Sequence, residues 1–540
     1  MKKEKTKVKN TNKGITLIAL VITIIVLLIL AGVSIAMLTG ENGVLTKATE
    51  AKEQTEIAQE KEEISMSYAA AKANKVAQIS EDVTADELNT ELDKLNSQGD
   101  ADDSDGLKVT YPNGHIYEIE QSTGKITGPI GEEPPEENTA ENPEYWEKTT
   151  KDDNEWYSYA DTSNGNQSVK VNAPKLKGAM TPIKYVGEDK SEQTGSKWAN
   201  AITQDGSMFV WIPRYAYKIT KGYHTNQVGT IEVAFIDTNN NFLNGETGTL
   251  TSNPEQVTYK EIDGEQVQQE WLVHPAFTSN AENGGGFGEI SGLWVGKFET
   301  TKTEDTLVVK PLQTGLVETS TVGEQYEIAL EATFGETQSL NSHMAKNSEW
   351  GAIVYLAHSK YGTNGQKVEQ QEEWITGGGY NSKEIYTNNK KQSTTHNAYG
   401  VYGMNGRSTE FTASYVNYST ISINIKLQND GGSLFGKDEH ERTTSTKYKT
   451  VYEASGLNQE ETYMLAEEKK GDAIYETSNT SMANKGAWFE ASTFFPNSQN
   501  PFFARSFAKD YSSSMFFYIA DAGFRMGDRT EGLRHILVTN

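Results

Sequence analysis

The sequence contains no cysteine. That excludes disulfides, zinc–thiolate sites, iron–sulfur clusters and a thiol nucleophile, whatever the fold. Positive charge is scarce as well, 49 Lys and Arg against 75 Asp and Glu, for a net charge of −26. Nucleic acid is therefore not expected as a partner, because phosphate binding needs a basic surface. The eight histidines show no H-x-H or H-E-x-x-H spacing and read as surface or core residues, so no metal or other cofactor is expected. Long apolar runs are absent with one exception: residues 14 to 40, "GITLIALVITIIVLLILAGVSIAMLTG", carry no charge at all. The 540 residues suffice for two or three domains with cores of their own.

At about 1.5 Å of rise per residue the uncharged run, as a helix, covers the roughly 30 Å hydrocarbon core of a bilayer. Lys2, Lys3, Lys5, Lys7, Lys9 and Lys13 precede it against a single Glu4, a local balance of +5. The charge asymmetry holds the N-terminus in the cytoplasm and puts everything after Thr39 outside the cell. The run is too long for a cleavable secretory signal and no small-residue cleavage site closes it. A lysine-rich leader ending in glycine, followed by "ITLIALVITIIVLLILAG", resembles the prepilin-type N-termini; the matching residues are Lys13, Gly14, Thr16, Leu17 and Leu20. The resemblance implies a prepilin peptidase that cuts between Gly14 and Ile15, methylation of the new terminus, and other pilin-like subunits as partners. Pilins usually carry glutamate at the fifth mature position, where this chain has Ala19. The leader is thus residues 1–14 and the transmembrane helix 15–39.

Residues 40–127 read as a pilin-like stalk. "GVLTKATEAKEQTEIAQEKEEISMSYAAAKANKVAQI" is rich in helix formers and predicts a long solvated helix extending the anchor. Thr84 opens a shorter helix, its "TADE" forming a capping box with Glu87. "GLKVTYPNGHIYEIEQSTGKITG" predicts two β runs with Asn113-Gly114 and Thr123-Gly124 as turns. Residues 128–147 hold two adjacent prolines and seven acids and read as an extended linker. Between 41 and 147 the balance is 26 acids to 8 bases, so the stalk holds most of the negative charge.

From 148 to 540 the composition turns to Trp, Tyr, Phe, Gly and Asn in an irregular α+β pattern. "SMFVWIPRYAYKI" (207–219) and "SGLWVGKFET" (291–300) read as strands. "NSEWGAIVYLAHSKYG" (347–362) reads as a helix capped by Ser348 and stopped at Gly362. "DTNNNFLNGE" (237–246) begins like a calcium loop but lacks the glycine and glutamate that would complete it, and reads as a polar turn. "GGGFG" after Asn283 is no nucleotide loop, and "KDEHER" (437–442) reads as a solvated loop.

"FVWIPRYAY", "LWVGKFE", "KNSEWGAIVYLA", "YGVYGMNGRSTEF" (399–411) and "GLRHIL" (532–537), in that order, resemble successive blocks of the formylglycine-generating-enzyme (sulfatase-modifying) family. The resemblance implies a C-type-lectin-like fold. Arg505, Gly532 and Arg534 fall on its framework positions. The family's oxidising members bind copper through paired cysteines, so with none here a non-enzymatic chain is expected.

Residues 486–540 contain 12 aromatics. The adjacent pairs Phe494-Phe495, Phe502-Phe503 and Phe516-Phe517 place one ring on each face of a strand, so half are expected to face outward, unless both faces are buried between sheets. In C-type-lectin-like proteins this last segment forms the ligand-facing surface, and in some a retroelement that mutates adenines diversifies it. Phe507, Tyr511, Tyr518, Asp521, Phe524 and Arg525 are the expected ligand contacts. The expected function is that of a membrane-anchored surface protein displaying a C-type-lectin-like head, an adhesin for an extracellular protein or glycan. The alternative is an extracellular enzyme or enzyme-derived factor of the sulfatase-modifying family.

Overall fold

The computed structural model describes residues 44–539 except 76–81, 96, 98, 104–105, 112–114, 122, 129–144, 188–194, 304–305, 314–321, 372–375, 378–385, 407–408, 419–443, 481, 484–485, 492, 507–519 and 523–530. Of 44–58, 75, 303, 482–483, 520–522 and 531 it describes the backbone only. The described chain is mixed α+β, mostly sheet, and divides into two compact units, 1–138 and 139–540. The leader, the apolar run 15–39 and most of the linker lie outside the described residues. Among the described residues no helix is long and apolar enough to cross a membrane.

In the first unit helix α1 spans Val44–Lys75 and helix α2 spans Ala85–Lys94. Thr84 caps α2 with the predicted box: its hydroxyl accepts from Glu87 N–H, and the Glu87 carboxylate accepts from Thr84 N–H at 3.0 Å. Four strands follow where two runs were expected, β1 (Asp100–Asp102), β2 (Lys108–Thr110), β3 (Ile116–Glu120) and β4 (Lys125–Thr127), forming an antiparallel meander. Helix α1 is not solvated all round. Glu60, Ile64, Ser67, Tyr68 and Ala71 are buried at helical spacing, and the apolar three join Leu88, Leu92, Val109 and Tyr117 in one core. Glu60 is buried with its charge occupied: one carboxylate oxygen meets His115 Nδ1 and Tyr117 Oη, each at 2.6 Å.

The second unit opens with an edge strand, β5 (Trp146–Lys148), which starts within the stretch read as linker. It belongs to a seven-stranded sheet with β6 (Thr181–Tyr185), β7 (Asn200–Ile202) and β8 (Met208–Pro213). The run 207–219 is not one strand: the chain turns at Arg214 and continues as β9 (Tyr215–Lys221) in a different sheet, with β10 (Thr230–Phe235), β11 (Leu250–Thr251) and β12 (Trp271–Val273). Arg214 is fully buried at that corner, donating to the carbonyls of Phe277 and Ile290 and pairing with Glu289. Strands β13 (Gly292–Gly296) and β14 (His343–Met344) return to the large sheet.

Two helices of the head follow, α3 (Val322–Glu331) and α4 (Asn347–His358). Every residue of α4 is buried, as expected of a helix apolar on all sides that sits between sheets. Its cap differs from the expectation. Lys346 is the N-cap residue and the Glu349 carboxylate accepts from its N–H at 2.9 Å, while the Ser348 hydroxyl donates instead to Gly284 O at 2.6 Å. The glycine-rich loop is thus a packing surface for the helix start. A Cβ on Gly284 would lie 2.5 Å from Ser348, and Gly284 has φ +91°.

A third sheet is built on β15 (Thr409–Asn417), with β16 (Thr450–Glu453), β17 (Phe502–Arg505), β18 (Ala520–Ala522) and β19 (Glu531–Leu533). Strand β15 pairs antiparallel with β17 and parallel with both β16 and β19. Helix α5 (Gln459–Leu465) lies between β16 and β17 in sequence. The last strand, β20 (His535–Leu537), enters the large sheet, whose order is β14–β20–β13–β8–β7–β6–β5.

Candidate functional site

Arg505 and Arg534 are fully buried. Arg534 Nε donates to Glu410 at 2.9 Å and its Nη1 donates to Gly296 O at 2.9 Å, tying β15 to the large sheet. Arg505 donates to the carbonyls of Asp472 (3.3 Å) and Ala473 (3.1 Å) and lies over the Trp350 ring of α4, 5.6 Å from its centroid. Gly532 sits in β19 opposite Glu410.

Of the expected contacts, Phe507, Tyr511, Tyr518, Phe524 and Arg525 lie outside the described residues, as do the processing residues Gly14 and Ile15. Asp521 is in β18, the edge strand beyond β17, with its Cα opposite Phe503. The outward-facing expectation fails for the best-described aromatic pair. Phe502 and Phe503 do take opposite faces, but both faces are covered: Phe502 packs with Phe411 and Tyr415, and Phe503 with Tyr452 and Phe495. The alternative of two buried rings holds there. Phe495 is buried too, and Phe494 is half-buried.

Next to this sheet the structure assembles a polar cluster that sequence reasoning missed. The loop 469–477 rests on α4 so closely that a Cβ on Gly351 would sit 1.9 Å from Gly471 O. It carries two buried carboxylates, Asp472 at 2 % exposure and Glu476 at 1 %. Glu476 accepts from Tyr217 Oη (3.0 Å), Tyr355 Oη (2.9 Å) and Gly471 N–H (2.6 Å). Asp472 accepts from Tyr452 Oη (2.9 Å) and Ile474 N–H (3.0 Å). Burial, reinforced by the negative charge of Glu476, pushes the Asp472 carboxyl up from 3.8 to about 7. Burial also lowers the Arg505 guanidinium to about 10 and keeps His274, ringed by Tyr215, Tyr217 and Tyr355, neutral by lowering it to about 3.

Asp472 also lines a small pocket, open to solvent, together with Tyr452, Tyr463, Tyr475, Phe495 and Glu468. Tyr463 comes from α5, whose next two residues, Met464 and Leu465, are 72 % and 55 % exposed. A carboxyl poised near neutrality in an aromatic pocket can exchange a proton or hold a cation. The sequence offers no local signal for the cluster, because the hydroxyl donors to Glu476 come from β9 and α4 and the one to Asp472 from β16.

The polar-turn reading of 237–246 agrees with the structure: Asp237 accepts from Asn239 N–H and Asn241 N–H, both at 2.8 Å. "KDEHER" lies outside the described residues. Among the described residues no three His, Asp or Glu side chains are grouped to hold a metal ion. No family model matches the chain, and no curated protein matches it.

Proposed function

We propose that the chain is a membrane-anchored, pilin-like surface protein whose head, of the C-type-lectin-like kind found in formylglycine-generating enzymes, binds an extracellular protein or glycan through the segment between Arg505 and Arg534. In this reading residues 15–39 span the membrane after cleavage at Gly14.

One observation supports the reading above the others. Arg505 and Arg534 bracket the segment and are both 0 % exposed, with their bonds made to backbone and to Glu410. Such fixed ends let the residues between them vary without disturbing the core, as a ligand-facing segment requires. The edge position of β18 leaves Asp521 on the outermost described strand of its sheet.

The test uses the full chain in detergent micelles, screened against glycan arrays and extracellular protein libraries, with hits compared across variants. Tyr518→Ala and Phe524→Ala should each lose about 1–3 kcal/mol of binding while the melting temperature holds. Variants that unfold the head instead would make these aromatics core and end the proposal.

A further inference from the structure

The pocket beside α5 combines aromatic rings with carboxylates. The rings of Tyr452, Tyr463, Tyr475 and Phe495 line it together with the buried Asp472 and the exposed Glu467 and Glu468. Among the described residues, no cationic nitrogen lies within ion-pair distance of the Asp472 carboxylate. Arg505, the guanidinium behind it, directs Nη1 and Nη2 to backbone carbonyls. The one ammonium lining the pocket, Lys469, is already engaged: Nζ donates to Glu282 O at 2.6 Å and to Glu467 at 2.9 Å, over the Tyr452 ring at 5.4 Å.

We propose that this pocket is a receptor for a primary ammonium group, the ε-amino group of a lysine on an extracellular protein partner. The proposal is independent of the reading given to residues 507–525. Three features argue for it. Aromatic faces attract a cation, and the chain itself seats the Lys469 ammonium over Tyr452 with a carbonyl and a carboxylate as acceptors. Three carboxylates, Glu467, Glu468 and Asp472, line the pocket against one ammonium, Lys469, so its electrostatics favour a cationic guest. Met464 and Leu465, exposed beside the mouth, provide apolar area for the rest of a protein partner, where a free amine would leave them unused.

A seated ammonium needs Asp472 ionised. The groups facing that carboxyl are Glu476 on its own loop, Tyr452 from β16, Tyr355 from α4, Tyr463 from α5 and Arg505 from β17. With the carboxyl at about 7, affinity for an amine that stays charged throughout should fall as pH drops from 8 to 6.

The experiment titrates the full chain in micelles with Nα-acetyl-lysine methylamide, read by calorimetry or saturation-transfer NMR, and repeats it with the same compound acetylated on Nε. The expected result is saturable millimolar binding at pH 8 that weakens several-fold by pH 6 and is absent for the Nε-acetylated compound. Asp472→Asn should weaken binding at least tenfold and flatten the pH profile. Glu468→Gln, at an exposed position, should weaken it two- to fivefold. Equal binding of the Nε-acetylated compound, no binding at 50 mM, or unchanged affinity in Glu468→Gln together with a flat wild-type pH profile would each overturn the proposal. Loss of ligand binding in Tyr518→Ala would leave it standing, since that residue is not in the pocket.

Discussion

Asp472→Asn makes a quantitative test of the buried cluster even without a ligand. The folded protein raises the carboxyl from 3.8 to about 7, chiefly through burial, so between those values the folded chain holds a proton that the unfolded chain releases. Stability from this group is therefore full below about pH 4 and is lost as pH rises through about 7. The slope is about 1.4 kcal/mol per pH unit, and the whole span is at most about 4 kcal/mol. Asparagine keeps an acceptor for Tyr452 Oη and removes the charge, so the variant should lack this slope. At pH 8 it should be the more stable protein, because a buried charge without a contacting cation has been removed. The two curves should converge as pH falls toward 5. Urea is the denaturant of choice, since guanidinium would screen the charges under study. Tryptophan emission reports the head alone, because all nine tryptophans lie between Trp146 and Trp488. A wild-type-to-variant difference that stays constant from pH 5 to 8 would refute the assignment of this carboxyl.

Three further outcomes follow from features already described. Mass spectrometry of the membrane-extracted protein should find Ile15 at the N-terminus, methylated, and Gly14→Val should block processing; an intact Met1 terminus would reduce the segment to an anchor. The head's melting temperature should move by less than about 1 °C in chelator, since the Asp237 turn satisfies itself, and a large drop would mean a missed cation site. Glu60→Ala takes an acceptor from two buried donors, His115 and Tyr117, and should cost the first unit about 2–4 kcal/mol. Hydrogen exchange across residues 60–71 of α1 would register it as protection lost by roughly 1.5 to 3 orders of magnitude.

What the sequence disclosed was what neighbouring residues decide among themselves. The capping box at Thr84 is a matter of four consecutive residues and was readable outright. Helix α4 was readable from its composition, but its cap was not, because the Ser348 hydroxyl is recruited by Gly284, far away in sequence. The break at Arg214 was hidden for the same reason: the carbonyls and the carboxylate that make a buried guanidinium tolerable there come from residues 277–290. Opposite-face placement of Phe502 and Phe503 followed from the strand pleat, whereas their burial depended on layers contributed by β15, β16 and Phe495. The carboxylate pair lies furthest from prediction, since only tertiary structure brings Tyr217, Tyr355 and Tyr452 to one loop.

The position of β20 has a consequence for how faithfully such a protein is made. Residues 535–537 fill an interior slot of the large sheet, between β14 and β13, while the sheet's other strands are drawn from residues 146–344. Until that strand arrives, two neighbours present unpaired edges, and closure waits on contacts of long sequence separation. A frameshift or premature stop anywhere in 507–530 would leave the slot empty. Such a product would expose strand edges to proteases and to aggregation, so a folded sheet requires an intact reading frame through the segment that precedes its last strand.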